Sequence, residues 1–476
     1  MTNYLAARVR RDLRAGQTRL GMIATAVNRR FGSDLTREGL RSAGYVTGFD
    51  FRNEWAERSW SMNGYLAGSH VRGSVNSLIN TQLASSRYFQ RPDADYLAVD
   101  STATSLSGYA ARFDIGKRSG TWRGSAAMST TSPGYEINDL GFQTSADRTN
   151  LDVNFEYEQT RPGRYFRRWN LRLSPNVDWN YGWDRTGTAL GLGGGGQFAN
   201  FWNFGFNARR EFASLDDRLT RGGVRAMKSP GLSGFFFMST DSRRPYTIRG
   251  SVSGSRSDIG DWRQSADLNF GLRPGPNVDI QLGPDFSRSR TAAQYLLYVD
   301  DVLATSTLGR RYVFGDLQQS QLSLETRLNV TFRPNLSLEM YAQPLLSSGD
   351  FRTIRELKAP RTLDFTDYGT GASQISRDTA GVYAVDPDGA GPAASFTLSD
   401  PDFDVQSLRG SAVLRWEWRP GSTIFVVWQQ DRSAYLDPLS GGHGVGRLSI
   451  GPDASALFGL KPANIFIVKA TWWFNP

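Results

Sequence analysis

The sequence contains no cysteine and only two histidines, His70 and His443. Without cysteine there is no disulfide framework, no thiolate–metal site and no thiol nucleophile. Two isolated histidines do not build a histidine metal centre or a His-assisted catalytic pair from local spacing, and each reads as a residue on a wet loop or strand end. Long hydrophobic runs are also missing. Runs such as Phe235 to Met238 are far below the roughly 18 residues that a spanning helix needs. "MTNYLAARVRRDLR" at the start lacks the pattern of a secretory signal. "GSVSG" places Val252 where a nucleophile-elbow serine would stand. "GLGGGG", beginning at Gly191, is followed by no G-K-[ST] and is no phosphate loop. It reads as a strand left bare where a loop or plug packs on it, or where a sheet bends. These absences give the expectation of a protein that is not an enzyme and needs no cofactor.

Aromatic residues and glycine are abundant: 28 Phe, 18 Tyr, 13 Trp and 50 Gly. Yet the mean hydropathy is −0.43, so the apolar residues are interleaved with polar ones. In "NLDVNFEYEQ" Leu151, Val153, Phe155 and Tyr157 alternate with Asp152, Asn154, Glu156 and Glu158. That is the period of a strand with one apolar and one polar face. The pattern recurs through Trp169–Trp183, Gln321–Phe332 and Leu408–Arg419. These runs exceed the usual five or six residues of a globular strand. Their polar faces are charged, and their apolar faces often end in Trp or Tyr, as in a lipid-facing band with aromatic girdles.

The punctuation has two kinds. "RPG", "RRP" or "RPN" at Arg161, Arg243, Arg273, Arg333 and Arg419 marks tight turns. Between them lie long Gly/Ser/Asp-rich connections, residues 72–102, 214–231, 347–404 and 433–463. Short turns at one end and long loops at the other define the expected fold: all-β, a large antiparallel transmembrane β-barrel of the outer-membrane type, with about 18–22 strands, short periplasmic turns and long extracellular loops. The whole of 1–476 reads as this one domain, and no linker divides it. The formal charge of +9 is then explained in part by turn arginines at the periplasmic rim reaching lipid phosphates, without nucleic acid; outer-membrane lipid and lipopolysaccharide are the expected surroundings of such a barrel. The chain ends "NIFIVKATWWFNP". Phe466, Val468, Ala470, Trp472 and Phe474 form the lipid face of a last strand expected to pair with the first and close the barrel. Lys469, Thr471 and Asn475 stand on the other face.

The strand count comes to about nineteen, whereas bacterial barrels usually have an even number. Either one strand is wrongly split or merged in this count, or one or more N-terminal strands precede Tyr4, and the second is the expectation. Several stretches carry a family resemblance: "NYLAARVRRDL", "DRLTRGGVRAM" at Asp217, "RYVFGDLQQSQLSLETRLNVTFRPNLSLEMYAQPLLSSGDF" at Arg311, "DPDFDVQSLRGSAVLRWEWRPGSTIFVVWQQ" at Asp400 and "NIFIVKATWWF". They resemble the barrel domain of unknown function that follows a family-9-like carbohydrate-binding domain in bacterial proteins. The resemblance covers nearly the whole chain. It departs at Val224, where proline is expected, and in the lack of the carbohydrate-binding part. It implies an integral protein of the bacterial outer membrane with the barrel-assembly machinery as partner, and carries no established activity.

Period two assigns the faces. Arg172, Asp178, Glu325, Arg327, Arg409, Arg415 and Glu417 should line the lumen, with Arg419 among them, while Trp416, Trp418, Trp472 and Phe474 should face lipid. Acids and bases of the inner wall are nearly balanced, which argues against strong ion selectivity. The wall reads either as a polar conduit or as a ladder of ion pairs that stiffens the sheet. Asp386, Asp388, Asp400, Asp402 and Asp404 offer hard oxygen ligands and form a calcium candidate, against a plain acidic loop. The leading functional reading is a porin-like conduit, or the membrane part of a transport system, for an oligosaccharide or other small solute. The alternatives are a structural barrel anchoring a carbohydrate-binding domain and, behind both, an outer-membrane hydrolase.

Overall fold

The computed structural model describes residues 1–440 and 444–474. Strands β1 (Thr2–Leu13), β2 (Thr18–Arg29), β3 (Ala43–Trp55), β4 (Trp60–Arg72), β5 (Ser105–Lys117), β6 (Trp122–Thr131), β7 (Arg148–Gln159), β8 (Phe166–Trp179), β9 (Arg185–Phe198) and β10 (Asn203–Glu211) follow one another in a single antiparallel sheet. A small hairpin, β11 (Ser214–Asp216) and β12 (Ala226–Lys228), occupies the next connection. The sheet resumes with β13 (Gly231–Ser239), β14 (Tyr246–Ser257), β15 (Trp262–Gly275), β16 (Val278–Asp300), β17 (Arg310–Arg333) and β18 (Leu336–Leu357). β19 (Phe365–Asp367) adds three residues to the edge of β18, and β20 (Gln374–Arg377), β21 (Val382–Asp386) and β22 (Phe396–Ser399) form a separate sheet in the same loop. β23 (Phe403–Arg419), β24 (Ser422–Leu436) and β25 (Ala463–Thr471) end the wall. Short helices α1 (Asp34–Gly39), α2 (Val75–Leu83) and α3 (Ile450–Gly459) sit in the connections, and no helix among the described residues is long and apolar enough to cross a membrane.

The large sheet has 20 strands; setting aside the three-residue β19 leaves nineteen wall strands. This is the large antiparallel transmembrane barrel architecture that the alternation predicts. Register fixes the faces, because directly opposed residues share a side of the sheet. Arg172 stands opposite Glu156 and Gly193, whereas Leu171 stands opposite Tyr157 and Gly194. Val9, Phe49, Leu66, Phe155, Val252 and Val468 are exposed on the outer face, as a lipid-facing surface requires. Near the short turns this face carries stacked or edge-on rings. Trp122 and Tyr157 are 4.9 Å apart, Tyr157 and Trp169 5.2 Å, and Trp418 and Trp472 4.3 Å. These amphipathic rings match the interfacial girdle of a membrane barrel.

All the proline-marked turns fall at one end of the wall, and all the long connections at the other. Several expected loops are more ordered than composition suggests. Residues 347–357 remain in β18 and 433–436 in β24, α2 lies within 72–102, and 214–231 holds the β11–β12 hairpin. At 23, 24 and 22 residues, β16, β17 and β18 are about twice the 9–11 residues needed to cross the bilayer. They continue as a tower past the membrane at the loop end.

The expected closing pair is not formed. Among the described residues β1 pairs with β2 alone and β25 with β24 alone. Both edge strands run from the loop end to the turn end, so direct pairing would be parallel in an otherwise antiparallel sheet.

Candidate functional site

The inner wall is a ladder of charges and amides. Arg172 lies 3.1 Å from Glu156, which also accepts a hydrogen bond from Asn170 at 2.8 Å. Asp178 accepts from Asn150 at 2.7 Å and pairs with Arg148 at 2.9 Å. Glu325 and Arg327 pair at 2.6 Å, Arg409 and Asp431 at 3.5 Å, and Arg415 and Glu417 at 3.1 Å. Each of these residues thus has an opposite charge beside it. Arg419 departs from expectation. A bulge after Glu417 breaks the alternation, and its guanidinium lies over the rings of Trp418 and Trp472, at 4.9 and 5.3 Å. It belongs to the rim at the turn end, not to the lumen wall. Trp416 is exposed on the outer face, and Trp472 lies 5.7 Å from Phe474.

The glycine run on β9 divides between the two faces. Phe206 and Phe204 lie over Gly194 and Gly196 on the lipid side, where an added Cβ would sit only 3.0 Å from each ring. On the lumen side Gly193 and Gly195 leave the wall one side chain thinner. The recess there has a volume of about 650 Å³ and is bordered by Glu156, Asn170, Arg172, Asn207 and Phe237. The strand is bare for two reasons: on one face rings replace its side chains, and on the other the lumen gains depth.

The loop end of the barrel is spanned by connections from facing parts of the wall. Arg87, in the β4–β5 connection, is fully buried and donates to Glu136 at 2.7 Å and to the carbonyls of Tyr135 and Thr81 at 2.7 and 2.8 Å. Arg91 pairs with Asp147 from the β6–β7 connection and, at 2.7 Å, with Asp217 from the β10–β13 connection. Tyr96 donates to Asp147 at 2.7 Å. Arg225 joins Asp93 at 3.1 Å and Asp184 of the β8–β9 turn. Beyond these ions, Val224 and Ala226 pack with Tyr312 and Phe314 of β17 and Leu357 of β18. β17 lies ten strands along the sheet from β5, about half of the nineteen-strand circuit. The β4–β5 and β10–β13 connections therefore form a brace across the mouth. Burial pushes Asp147 above the ordinary carboxylate range against the pull of Arg91, and isolated charges at such depth would be costly.

Residues 32–441 match the domain family described as "Domain of unknown function (DUF5916)". The chain belongs to this family. No curated protein matches the DUF5916 barrel. Among solved structures it is similar to the siderophore receptor PirA of Acinetobacter baumannii, at 9% identity and TM-score 0.45, over 95% of this chain and 73% of that one. A variant of the ferric enterobactin receptor of Pseudomonas aeruginosa matches at 9% identity and TM-score 0.40, over 88% and 74%. The ferripyoverdine receptor of the Pseudomonas aeruginosa outer membrane matches at 7% identity and TM-score 0.37, over 92% and 68%. Likeness at this level leaves ligand and role to be argued from the DUF5916 barrel's own residues.

The acidic residues proposed for calcium do not converge. Among the described residues no group of three or more Asp, Glu or His side chains is arranged to hold a metal. Asp386 accepts from the backbone N–H of Gly389 at 2.8 Å and Asp388 from that of Ala393 at 3.0 Å, in the turn between β21 and β22. Asp400 pairs with Arg377, Asp402 accepts from the N–H of Phe351 at 2.6 Å, and Asp404 from that of Gly446 at 3.2 Å. The spacing was that of turn-capping aspartates. His70 sits at the end of β4 with its Nδ1 2.7 Å from the Ser107 hydroxyl, and His443 lies outside the described residues. Sequence reasoning missed Arg87, Arg91, Arg225 and their acids. The one available signal was the density of Arg, Asp and Tyr in "RYFQRPDADY", Arg87 to Tyr96.

Burial, with Asp400 and Asp350 nearby, pushes the Asp402 carboxyl up to about 6, although the Phe351 N–H and Arg377 oppose the rise. A carboxyl raised above its unfolded value of about 4 favours the folded loop fully below pH 4 and loses that contribution as pH rises through 6. Amide exchange at Phe351 is therefore expected to be slower at pH 4.5 than at pH 7 after correction for intrinsic rates, and Asp402→Asn should abolish the difference. Equal protection at both pH values in the unaltered chain would contradict this.

Proposed function

We propose that the chain is an integral barrel of the bacterial outer membrane whose polar lumen conducts a small solute, such as an oligosaccharide, and is closed at the outer mouth by its own loops. The observation that carries this reading is a charged, amide-rich inner wall beneath a brace of buried ion pairs. Nineteen strands about 4.8 Å apart and tilted about 40° enclose roughly 35–40 Å between facing backbones. A wall of that size without a brace would leave a wide aqueous channel. The girdle rings and the turn arginines, Arg419 among them, supply the contacts to lipid and its phosphates at the periplasmic rim, while lipopolysaccharide would surround the loop-end half of the outer face. The aromatic end of β25 offers the barrel-assembly machinery its recognition element. On this reading the protein is not an enzyme, and neither a cofactor nor nucleic acid has a part in it.

A second reading, a structural barrel that anchors a carbohydrate-binding domain, is favoured by the completeness of the brace. Arg87 has a partner for each donor direction, which suits a permanently sealed mouth. Planar-bilayer recording separates the two. Replacing residues 213–229 by a short Gly/Ser link removes the centre of the brace and is expected to raise single-channel conductance severalfold. If the inserted and heat-modifiable variant stays electrically silent, the conduit reading fails and the anchoring reading takes its place.

A further inference from the structure

The lipid-facing side of β10, β14 and β16 changes character toward the loop end. In β14 the outward series Tyr246, Ile248, Gly250, Val252 and Gly254 is followed by Arg256. In β16 Leu282, Pro284 and Phe286 are followed by Arg288, and in β10 Phe204, Phe206 and Ala208 by Arg210. Register joins these arginines. Arg210 stands opposite Leu232, Leu232 opposite Arg256, and Arg256 opposite Trp262, in one row across β10, β13, β14 and β15. Arg288 lies over the Trp262 ring at 5.9 Å. All three arginines are exposed. Among the described residues no acid stands within ion-pair distance of any of them, Asp258 of the β14–β15 turn included. Arg290, the next outward arginine of β16, is by contrast held by Asp316 at 2.6 Å.

We propose that Arg256 and Arg288, with Trp262 between them and Arg210 beside them, bind the lipid A phosphates of one lipopolysaccharide molecule. The proposal rests on the membrane reading above and not on the conduit. Height along the wall is the first argument. Arg256 lies ten positions beyond Tyr246, which is exposed at the turn end of the same strand. At about 3.4 Å per residue and a tilt of about 40° the rise between them is about 26 Å, close to the apolar band of about 25 Å in an outer-membrane barrel. Arg256 thus emerges where hydrocarbon ends, and Trp262 marks that boundary as an interfacial ring does. Arg210, on a shorter strand, reaches the same level with its flexible stem. Charge is the second argument. The arginines of the inner wall described above have acids beside them, whereas these three face lipid with their charge uncompensated. The loop end of an outer-membrane barrel lies in the outer leaflet, so the anion at hand is lipid A phosphate, which matches the planar guanidinium fork. Gln264, opposite Arg288, adds an amide donor, and Leu232 and Val252 meet the acyl chains. The row ends at β16: on the row of Arg290, β17 presents Gln318 and β18 Asp350.

Native mass spectrometry of the protein in detergent micelles tests the site. The probes are bisphosphorylated lipid A, the same lipid A with both phosphates removed, and phosphatidylglycerol. The bisphosphorylated form is expected to give a one-to-one adduct that neither of the others gives at the same concentration. Arg256→Gln combined with Arg288→Gln should weaken that adduct about tenfold or more, since two charge-assisted contacts are lost. Arg11→Gln should leave it unchanged, because Arg11 is exposed on the outer face near the turn end of β1, opposite Leu20. The altered side chains are all exposed, and an unchanged heat-modified band on a gel shows that each variant is folded. Equal retention of dephosphorylated lipid A or of phosphatidylglycerol overturns the proposal. So does displacement by inorganic phosphate at equal concentration, or full affinity in the folded double variant. Binding in micelles reads the site and fractionation of the producing cells reads the location, so failure of the outer-membrane reading and failure of this one are seen separately.

Discussion

Replacing Arg91 with methionine is expected to open the mouth of the barrel. Arg91 is almost fully buried and holds Asp147 and Asp217, which come from two different connections. Methionine fills much of the same volume but leaves two buried carboxylates without their cation. Removing one partner of a buried ion pair costs about 3–5 kcal/mol, comparable with the whole stability of a small folded unit. The wall does not depend on this contact, because its strands are held by their own ladders. The expected outcome is thus a folded, inserted barrel with a loosened brace. Single-channel conductance should rise severalfold, and protease added from outside should cut within residues 84–104 and 213–229 far faster than in the parent. Slow cutting with unchanged conductance would show that the brace does not rest on Arg91. Substituting Asp147 and Asp217 with asparagine in the same variant should restore part of the protection, since the uncompensated charges are then gone.

The second large effect concerns register. Phe155 and Asn154 are adjacent in β7 but face opposite ways. Phe155 lies opposite Leu173 on the lipid side, while Asn154 accepts from the Ser174 hydroxyl at 2.7 Å on the lumen side. Phe155→Arg is expected to destabilise the inserted barrel by about 2–4 kcal/mol if the position lies near the bilayer midplane. Asn154→Arg should cost far less, because the lumen is wet and Asp152 and Glu156 flank the site on the same face. Urea-dependent folding into vesicles measures both. Equal losses, or a larger loss at Asn154, would reverse the assignment of the two faces throughout the wall.

The brace and the wall answer to different parts of the sequence. Alternation is local: once Leu151, Val153, Phe155 and Tyr157 recur at every second position, strand and faces follow, because a pleated chain has no other way to sort them. The prolines Pro162, Pro245 and Pro334 then fix which ends are tight. Arg172, Glu325, Arg327 and Arg415 could be placed on the inner face for the same reason. Arg419 could not, since a bulge near a turn resets the period, and nothing in "RWEWRPG" announces it.

What the sequence determined by itself was thus the wall: its antiparallel class, its two faces, its two kinds of connection and its aromatic girdle. The tertiary structure decided the rest. The pairing of Arg91 with Asp217 spans 126 positions, and that of Arg225 with Asp93 spans 132; no local period links such residues. The aspartates from Asp386 to Asp404 show the converse. Their closeness in sequence suggested one shared site, yet each satisfies a separate backbone N–H or arginine, because a short carboxylate in a turn finds its nearest donor first. The edges of the sheet are a tertiary fact as well. Alternation shows that β1 and β25 are strands, and only the traced direction of every strand between them shows that the two run parallel.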